Sequence, residues 1–577
     1  MAFIRRRDVL RALAAGGMAM SPLGRRAVAL ECGKPEPKDH IIIGKQTSGV
    51  SGFDPHLNAS APAAEIIGNL YETLVTLKQG KPDPFLSLAL WQEPNGASWT
   101  FAIKSGWRFA SGKPIKAKDV AFSFRRAVKL NRSPAHPLAH LGLTAINVDR
   151  RVSTDKDNPY ILRIKLPEAV EKDIVLHCLT SACCAVLDSV LVTQHFAPNP
   201  DVPVTCAHAP FQGAFTPIEA PDICEYDPLD AGRAWLRFNS AGSGPFIVRN
   251  AQRTDEIVLQ PNDLHSDYGK SSKPLIVRAI PDPREQRRLL QCGEIQVAWD
   301  TTVPPKEQDR KGGKAKETKP PTDLTLPHPR ANLLLLCMNV MKKPFGDPEV
   351  RKGIRQAIDS SKFETPRWKA QHRFFPSAIG GFDFPITTPP QDPLAKAALE
   401  NQKGALKLDY LVGAGRSAVA NGLAWQLAKA GIGLELIPAS TGVIFQERLA
   451  KRDFELALVS LSSDYLHPHS NAHALGTHYE REEFKAVDGK TIEATHTLAW
   501  YCHWRDDEIM NSIANAAKAS GPAVQKTFYE SIQDILMKRG PYAFLLEETV
   551  YVEGVKGLLP ELGALDNQTR FSPPKPT

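Results

Sequence analysis

Residues 80–128 read GKPDPFLSLALWQEPNGASWTFAIKSGWRFASGKPIKAKDVAFSFRRAV. Trp99, Phe101 and Ile103 alternate with small or polar residues, the pattern of a half-buried strand. Gly106 and Gly112 punctuate turns around a second short strand, expected at 107–109. Lys118 and Asp119 then open a helix in which Val120, Phe124 and Val128 recur every four positions. The stretch is therefore a strand-turn-strand-turn-helix block.

Outward from this block, the whole chain sets bounds. At 577 residues it is too long for one hydrophobic core, and two or three domains are expected. A composition of 42% hydrophobic and 23% charged residues is ordinary for a globular protein. The N-terminus reads as an export signal: Arg5-Arg6-Arg7-Asp8-Val9-Leu10-Arg11 fits a twin-arginine motif, with Val9 in place of the usual Phe. Ala12 to Leu23 is an apolar run too short to span a bilayer as a helix, and Ala27-Val28-Ala29 is a small-residue cleavage site. Cleavage near Ala29 removes six arginines and one aspartate, taking the formal charge from +8 to +3. Most of the basicity belongs to the signal, and the remaining basic clusters give no case for nucleic-acid binding. No other stretch has the roughly 18 uninterrupted apolar residues that a membrane helix needs.

All nine cysteines follow the cleavage site, so disulfides are expected in an oxidising compartment and an odd thiol is left over. Cys206 and Cys224 share a Pro-rich insertion, 197–229, and are the first pair to expect. Cys183-Cys184 reads either as a vicinal redox pair or as buried small side chains. Residues 306–323 are charged and almost free of apolar side chains, a flexible exposed loop. Ala405 to Val412 alternates as a strand, a glycine turn follows at Gly413 to Gly415, and a helix runs from Ala418 to Ala430. Leu434 to Ile437 then completes a βαβ unit. Catalysis needs a positioned nucleophile, base and oxyanion donors, and no motif supplies them: there is no G-x-S-x-G, no H-E-x-x-H and no G-x-x-x-x-G-K.

The run Gly106, Phe109, Gly112, Pro114, Ala117, Asp119 and Val120 resembles the "G-x-x-F-x-x-G-x-P-x-x-A-x-D-V" signature of the family 5 extracellular solute-binding proteins, the peptide and nickel receptors of ABC importers. Leu70-Tyr71-Glu72-Thr73-Leu74 resembles that family's "L-Y-E-x-L" helix. Ser240 to Phe246 resembles its "G-T-G-P-Y" turn, and Leu290 to Ala298 its "L-x-x-G-x-I-D-x-A". Asn339, Pro344-Phe345 and Val350-Arg351 through Ala357-Ile358-Asp359 continue the likeness, which covers about residues 40–560. It implies an α/β fold of the type II periplasmic binding protein kind, with two lobes of twisted mixed sheets joined by a hinge. An extra subdomain, about 70–235, would sit on lobe I. The implied division is signal 1–29, lobe I 40–325, lobe II 326–545 and a C-terminal return, 546–577. The implied function is a periplasmic receptor, a monomer and not an enzyme, that captures a peptide or peptide-like solute and delivers it to ABC permease subunits. No cofactor is implied.

Ser460 to His469, SLSSDYLHPH, resembles the family's "G-W-x-x-D-Y-x-D-P" loop, where the Asp matching Asp464 pairs with the ammonium of a peptide. Leu461 stands where Trp is usual and His467 where an acid is common. A capping role is the plain alternative for Asp464. Ligand contact is accordingly expected at Asp464, Tyr465, Leu461 and His467, with Trp500 and Trp504 as stacking aromatics. From lobe I, Ser48 and Phe53 are expected, with Thr47 and His56 beside them. His467, His469, His473 and His478 could also suggest a metal or metallophore receptor, against the plainer reading of scattered surface histidines. The sequence also leaves room for a sugar receptor of the same fold, or for a secreted hydrolase or redox enzyme using His467 or Cys183-Cys184.

Overall fold

The structure is a computed structural model. It describes residues 39–47, 50–58, 61–78, 80–93, 95–130, 136–195, 232–249, 251, 255–266, 273–299, 322–324, 328–382, 392–400, 404–413, 415–478, 484–485, 491–492, 496–555, 557–558 and 568–571. The export signal at 1–29, Cys32, the insertion at 197–229 with Cys206 and Cys224, and residues 306–321 lie outside them.

Two large mixed sheets organise the described chain. The first has seven strands in the order Thr322–Leu324, Glu553–Val555, Val297–Ala298, Ile41–Lys45, Leu275–Ala279, Glu256–Pro261 and Phe246–Ile247. Every residue of Ile41–Lys45 is buried, because parallel neighbours flank it on both sides. The second has six strands in the order Trp368–Ala370, Tyr542–Val550, His328–Met338, Leu456–Ser462, Ala405–Leu411 and Gly433–Ala439. The chain passes between the sheets twice, between Leu324 and His328 and again between Val550 and Glu553. These are the twisted mixed sheets of a two-lobed type II binding-protein fold. The βαβ unit is present, with Ala405–Leu411 parallel to Gly433–Ala439 across the helix Arg416–Lys429. Thr322 and Asp323, expected in an exposed loop, instead form an edge strand against Glu553–Val555.

A buried ionic cluster stitches the two sheets where the chain crosses. The Glu65 carboxylate receives both the Lys45 ammonium and the Arg330 guanidinium, and Arg330 also donates to the Thr569 hydroxyl at 3.1 Å. Lys45 lies on the central strand of the first sheet and Arg330 on the long strand of the second. All three charged side chains are almost fully buried, so each depends on the others for its compensation.

The extra subdomain carries a four-stranded sheet, Ser87–Gln92, Ser98–Ile103, Ile161–Lys165 and Val152–Thr154 in that order. Trp99, Phe101 and Ile103 are its buried face, as their alternation requires. The helix Ala117–Leu130 packs on them through Val120, Phe124 and Val128. Asp119 closes the helix start, its Oδ2 accepting from the Lys116 N–H at 2.9 Å. Residues 107–109 are not a ladder strand. Gly106 and Gly112, both in the left-handed region, turn the chain so tightly that a single Arg108–Pro114 bridge and the Phe109 N–H to Lys113 carbonyl bond close the loop.

Further polar contacts brace the first lobe. The Tyr71 hydroxyl accepts from the Ala241 N–H at 3.3 Å, and Glu72 accepts from Arg570 at 2.8 Å and lies 3.1 Å from His265 Nε2. Asp54 and Arg126 form a fully buried pair, with His56 Nδ1 2.9 Å from the same guanidinium. Cys178, Cys183, Cys184, Cys337 and Cys502 are free and buried, with Cys183 Sγ 3.7 Å from Cys184 Sγ. Cys292 is disulfide-bonded.

Candidate functional site

The strands Ala405–Leu411, Gly433–Ala439 and Leu456–Ser462 run parallel, so their carboxyl ends share one edge of the second sheet. In open α/β sheets that edge is where ligands are met. Asp464 lies two residues beyond it, in a loop locked by its own polar side chains. The Ser463 N–H donates to the Ala331 carbonyl at 2.7 Å and its hydroxyl to Asn471 Oδ1 at 2.5 Å. The Asp464 N–H donates to Ser470 Oγ at 2.9 Å, and the Asp464 carbonyl accepts from the Ser181 hydroxyl of the extra subdomain at 2.8 Å. Asp464 therefore sits at the junction of two units, half-buried. It does not cap the following helix: His467 does, with its Nδ1 accepting from the His469 N–H at 3.2 Å.

Tyr465 leaves its own lobe. Its side chain is fully buried within the extra subdomain's hydrophobic core, among residues such as Leu138, Cys178 and Cys183. Its hydroxyl lies 3.1 Å from His140 Nδ1, and burial holds its phenol far above the usual range. His467 is also buried, with its ring 5.6 Å from that of His177 and 5.2 Å from that of Phe382. Burial first, then the neighbouring His177 and His469, push its pKa well below the ordinary value. Burial lowers His177 and His469 to about 4.

Sequence reasoning missed the charged groups along the same edge. Arg416 follows the strand Ala405–Leu411 and donates to the Ser460 hydroxyl at 3.1 Å. Glu548, on the neighbouring return strand, accepts from Asn332 at 2.7 Å and from Arg367 Nε at 2.8 Å. Burial opposes its ionisation, but Arg367 and Asn332 outweigh it and hold the carboxyl low. The signal for Arg416 was present: a basic residue straight after a strand and its glycine turn.

The remaining candidates are dispersed. Ser48 lies outside the described residues. Phe53 is packed in the first lobe's core, and Thr47 is buried. His56 is buried and tied to Arg126 in the interior. Leu461 is half-buried, opposite Leu333 in the second sheet. Trp500 stacks on His496 at 3.7 Å with the Arg452 guanidinium over it at 3.9 Å. Trp504 is 5% exposed and meets Tyr542 edge-on. Both tryptophans pack with the second lobe's own core. The histidines from 467 to 473 are not scattered on the surface, since all three are buried. Among the described residues, no three His, Cys, Asp or Glu side chains are grouped to hold a metal ion.

Against known proteins, the model of "Bacterial extracellular solute-binding proteins, family 5 Middle" matches residues 81–482, more than half of the chain and all of the loop around Asp464. The chain belongs to family 5 of the bacterial extracellular solute-binding proteins. Among curated family 5 relatives, the probable D,D-dipeptide-binding periplasmic protein of Escherichia coli (strain K12) is 21% identical over 528 residues, covering 89% of each chain. Among solved structures, the periplasmic binding protein of Helicobacter pylori in complex with peptide STSA superposes with a TM-score of 0.69 at 19% identity, covering 92% of this chain and 98% of that one. A binding protein of A. tumefaciens R10 in complex with mannopinic acid gives 0.68 at 16% identity, covering 93% and 100%. Identities this low establish the shared fold alone. No helix among the described residues is long and apolar enough to cross a membrane.

Proposed function

We propose that this family 5 protein is an exported receptor that captures a peptide or peptide-like solute between its lobes and delivers it to an ABC permease, without altering it chemically. The observation that carries this reading is the placement of Asp464, a half-buried carboxylate at the carboxyl edge of the second sheet whose main chain is held from the opposite unit by Ser181. A carboxylate fixed there favours a cationic group, such as a peptide's ammonium, through a charge-assisted hydrogen bond. Arg416 on the same edge is suited to the opposite end of a short zwitterion. The names of the relatives support a peptide and a periplasmic setting.

Calorimetric titration with a panel of di- to pentapeptides tests the reading. At least one peptide binds at about micromolar affinity, typical of about −8 kcal/mol. Asp464→Asn weakens that peptide by a factor of ten or more, and N-acetylation of the peptide weakens it equally. If no peptide binds, or if Asp464→Asn leaves the affinity unchanged, the reading fails. Hydrolysis of the peptide during the titration would return the chain to the enzymes.

A further inference from the structure

The seam between the extra subdomain and the second lobe is built from histidines facing one another. His140 and His177 come from the subdomain; His467 and His473 come from the helix that follows the Asp464 loop, as its cap and in its second turn. The His140 and His473 rings lie 3.7 Å apart, centre to centre, and those of His177 and His467 lie 5.6 Å apart. His177, His467 and His473 are buried. His177 Nδ1 has no hydrogen-bond partner among the described residues. Elsewhere the seam holds Tyr465 in the subdomain core, the Ser181 hydroxyl on the Asp464 carbonyl, and the Glu171 N–H on the Ala517 carbonyl at 2.7 Å.

We propose that this seam is a proton-sensitive latch, in which neutral imidazoles on both sides hold the lobes shut and their protonation parts them. Imidazolium rings at His177 and His467 would face each other across a water-poor interface, where like charges repel strongly. The groups around them offer little relief. Asp173 is the carboxylate facing His177 and His467, with its Oδ2 3.6 Å and 3.9 Å from their Nε2 atoms. Burial raises its own pKa, and it would have to serve both rings. His467 is otherwise faced by His469, Tyr529, Phe382 and the neutral Gln525. The Lys518–Glu168 pair spans the rim, and its side chains are more than half exposed.

The direction follows from linkage. A histidine lowered in the closed form binds its proton more readily in the open form, so closure is favoured above the ordinary value of about 6.5 and weakens as pH falls below it. For His177, at about 4 in the closed form, the closed-to-open ratio falls roughly 30-fold between about pH 8 and about pH 5.

This inference rests on the reading of the protein as a closing receptor, but its test needs no solute and so can fail independently of peptide binding. Small-angle scattering of the solute-free protein at about pH 8 and about pH 5, with circular dichroism as the check on folding, reads the opening directly. The expected result is an increase in the radius of gyration at the lower pH with unchanged dichroism. The variant His177→Gln keeps a polar neutral side chain and should show a shallower pH response by up to one proton. If acid unfolds the chain outright, the comparison is made between about pH 8 and about pH 6, where roughly fourfold per histidine remains. A wild-type protein that stays compact across the range overturns the latch. So does a His177→Gln variant whose pH response matches that of the wild type.

Discussion

The Tyr465 hydroxyl of the second lobe lies 3.1 Å from Nδ1 of His140 in the extra subdomain, 325 positions away in the chain. In the proposed receptor, closure would therefore be a packing event as well as a ligand-bridging one. An aromatic ring carried by one unit completes the hydrophobic core of another. The contact also ties the Asp464 main chain to the subdomain, so the candidate recognition carboxylate and the lobe-lobe seam share one loop.

Truncating that ring should therefore be costly. Tyr465→Ala is expected to lower stability by about 3–5 kcal/mol, the range for emptying a large aromatic site in a core. Tyr465→Phe keeps the packing and loses one neutral hydrogen bond, about 1 kcal/mol. Urea unfolding of both variants at neutral pH checks the contrast. Equal losses would mean that the hydroxyl, not the ring, carries the contact.

Arg126 and Asp54 define a second expectation. Burial opposes ionisation of Asp54, but the charge and hydrogen bonds of Arg126, aided by His56, outweigh it and hold the carboxyl below its usual range. Such a group stabilises the fold above its unfolded value of about 3.9, and the contribution is lost as pH falls through the lower folded value. Arg126→Met leaves Asp54 buried without its partner and should cost about 3–5 kcal/mol near neutral pH. The measurement is denaturant unfolding at about pH 7 and again near pH 4. The variant's deficit should shrink at the lower pH, where the orphaned carboxylate takes up a proton.

The turn at Ser240 to Phe246 predicts intolerance to the smallest substitution. A Cβ at Gly242 would meet the Leu70 carbonyl oxygen at 2.1 Å, and one at Gly244 would meet the Leu70 carbonyl carbon at 2.5 Å. Both obstacles are backbone and cannot swing away. Gly242→Ala should destabilise the first lobe by about 1–3 kcal/mol or more, as overpacking does. Gly106→Ala serves as the comparison for a glycine held by its φ angle alone, because open space surrounds it. Thermal unfolding ranks the two, and the close approach is refuted if Gly242→Ala melts with the wild type.

Arg416 yields a test of solute polarity. If it meets the carboxylate end of a bound zwitterion, Arg416→Gln should weaken a free peptide by about 2–3 kcal/mol, the scale of a lost charge-assisted bond. The same peptide with an amidated C-terminus should lose far less. Equal losses for both peptides, measured by calorimetry, would assign Arg416 to holding Ser460 in place instead.

Several of these features could be read along the chain. The alternation of Trp99, Phe101 and Ile103 and the four-residue recurrence of Val120, Phe124 and Val128 are local periodicities, and each produced the buried face it predicted. Gly106 and Gly112 marked turns correctly, but their positive φ values made the turn too tight for the strand expected between them. The lone charged residue after a glycine turn, Arg416, carried a legible positional signal that went unread. Trp500 and His496 offered no such cue: their 3.7 Å stack depends on how a loop returns against the second lobe's core.

Periodicity and turn chemistry act over a few residues, so the order of residues sufficed for the local elements, while the two-sheet α/β plan and the loop bearing Asp464 were legible through the resemblance to the family. The environment of that loop arises from contacts hundreds of positions apart. His467 reads as a solvent-exposed side chain in one dimension and becomes a buried neutral ring only when the second lobe docks on the subdomain. Docking also turns Tyr465 from a loop residue into core. Desolvation is a property of the assembled surface, which no stretch of a dozen residues encodes.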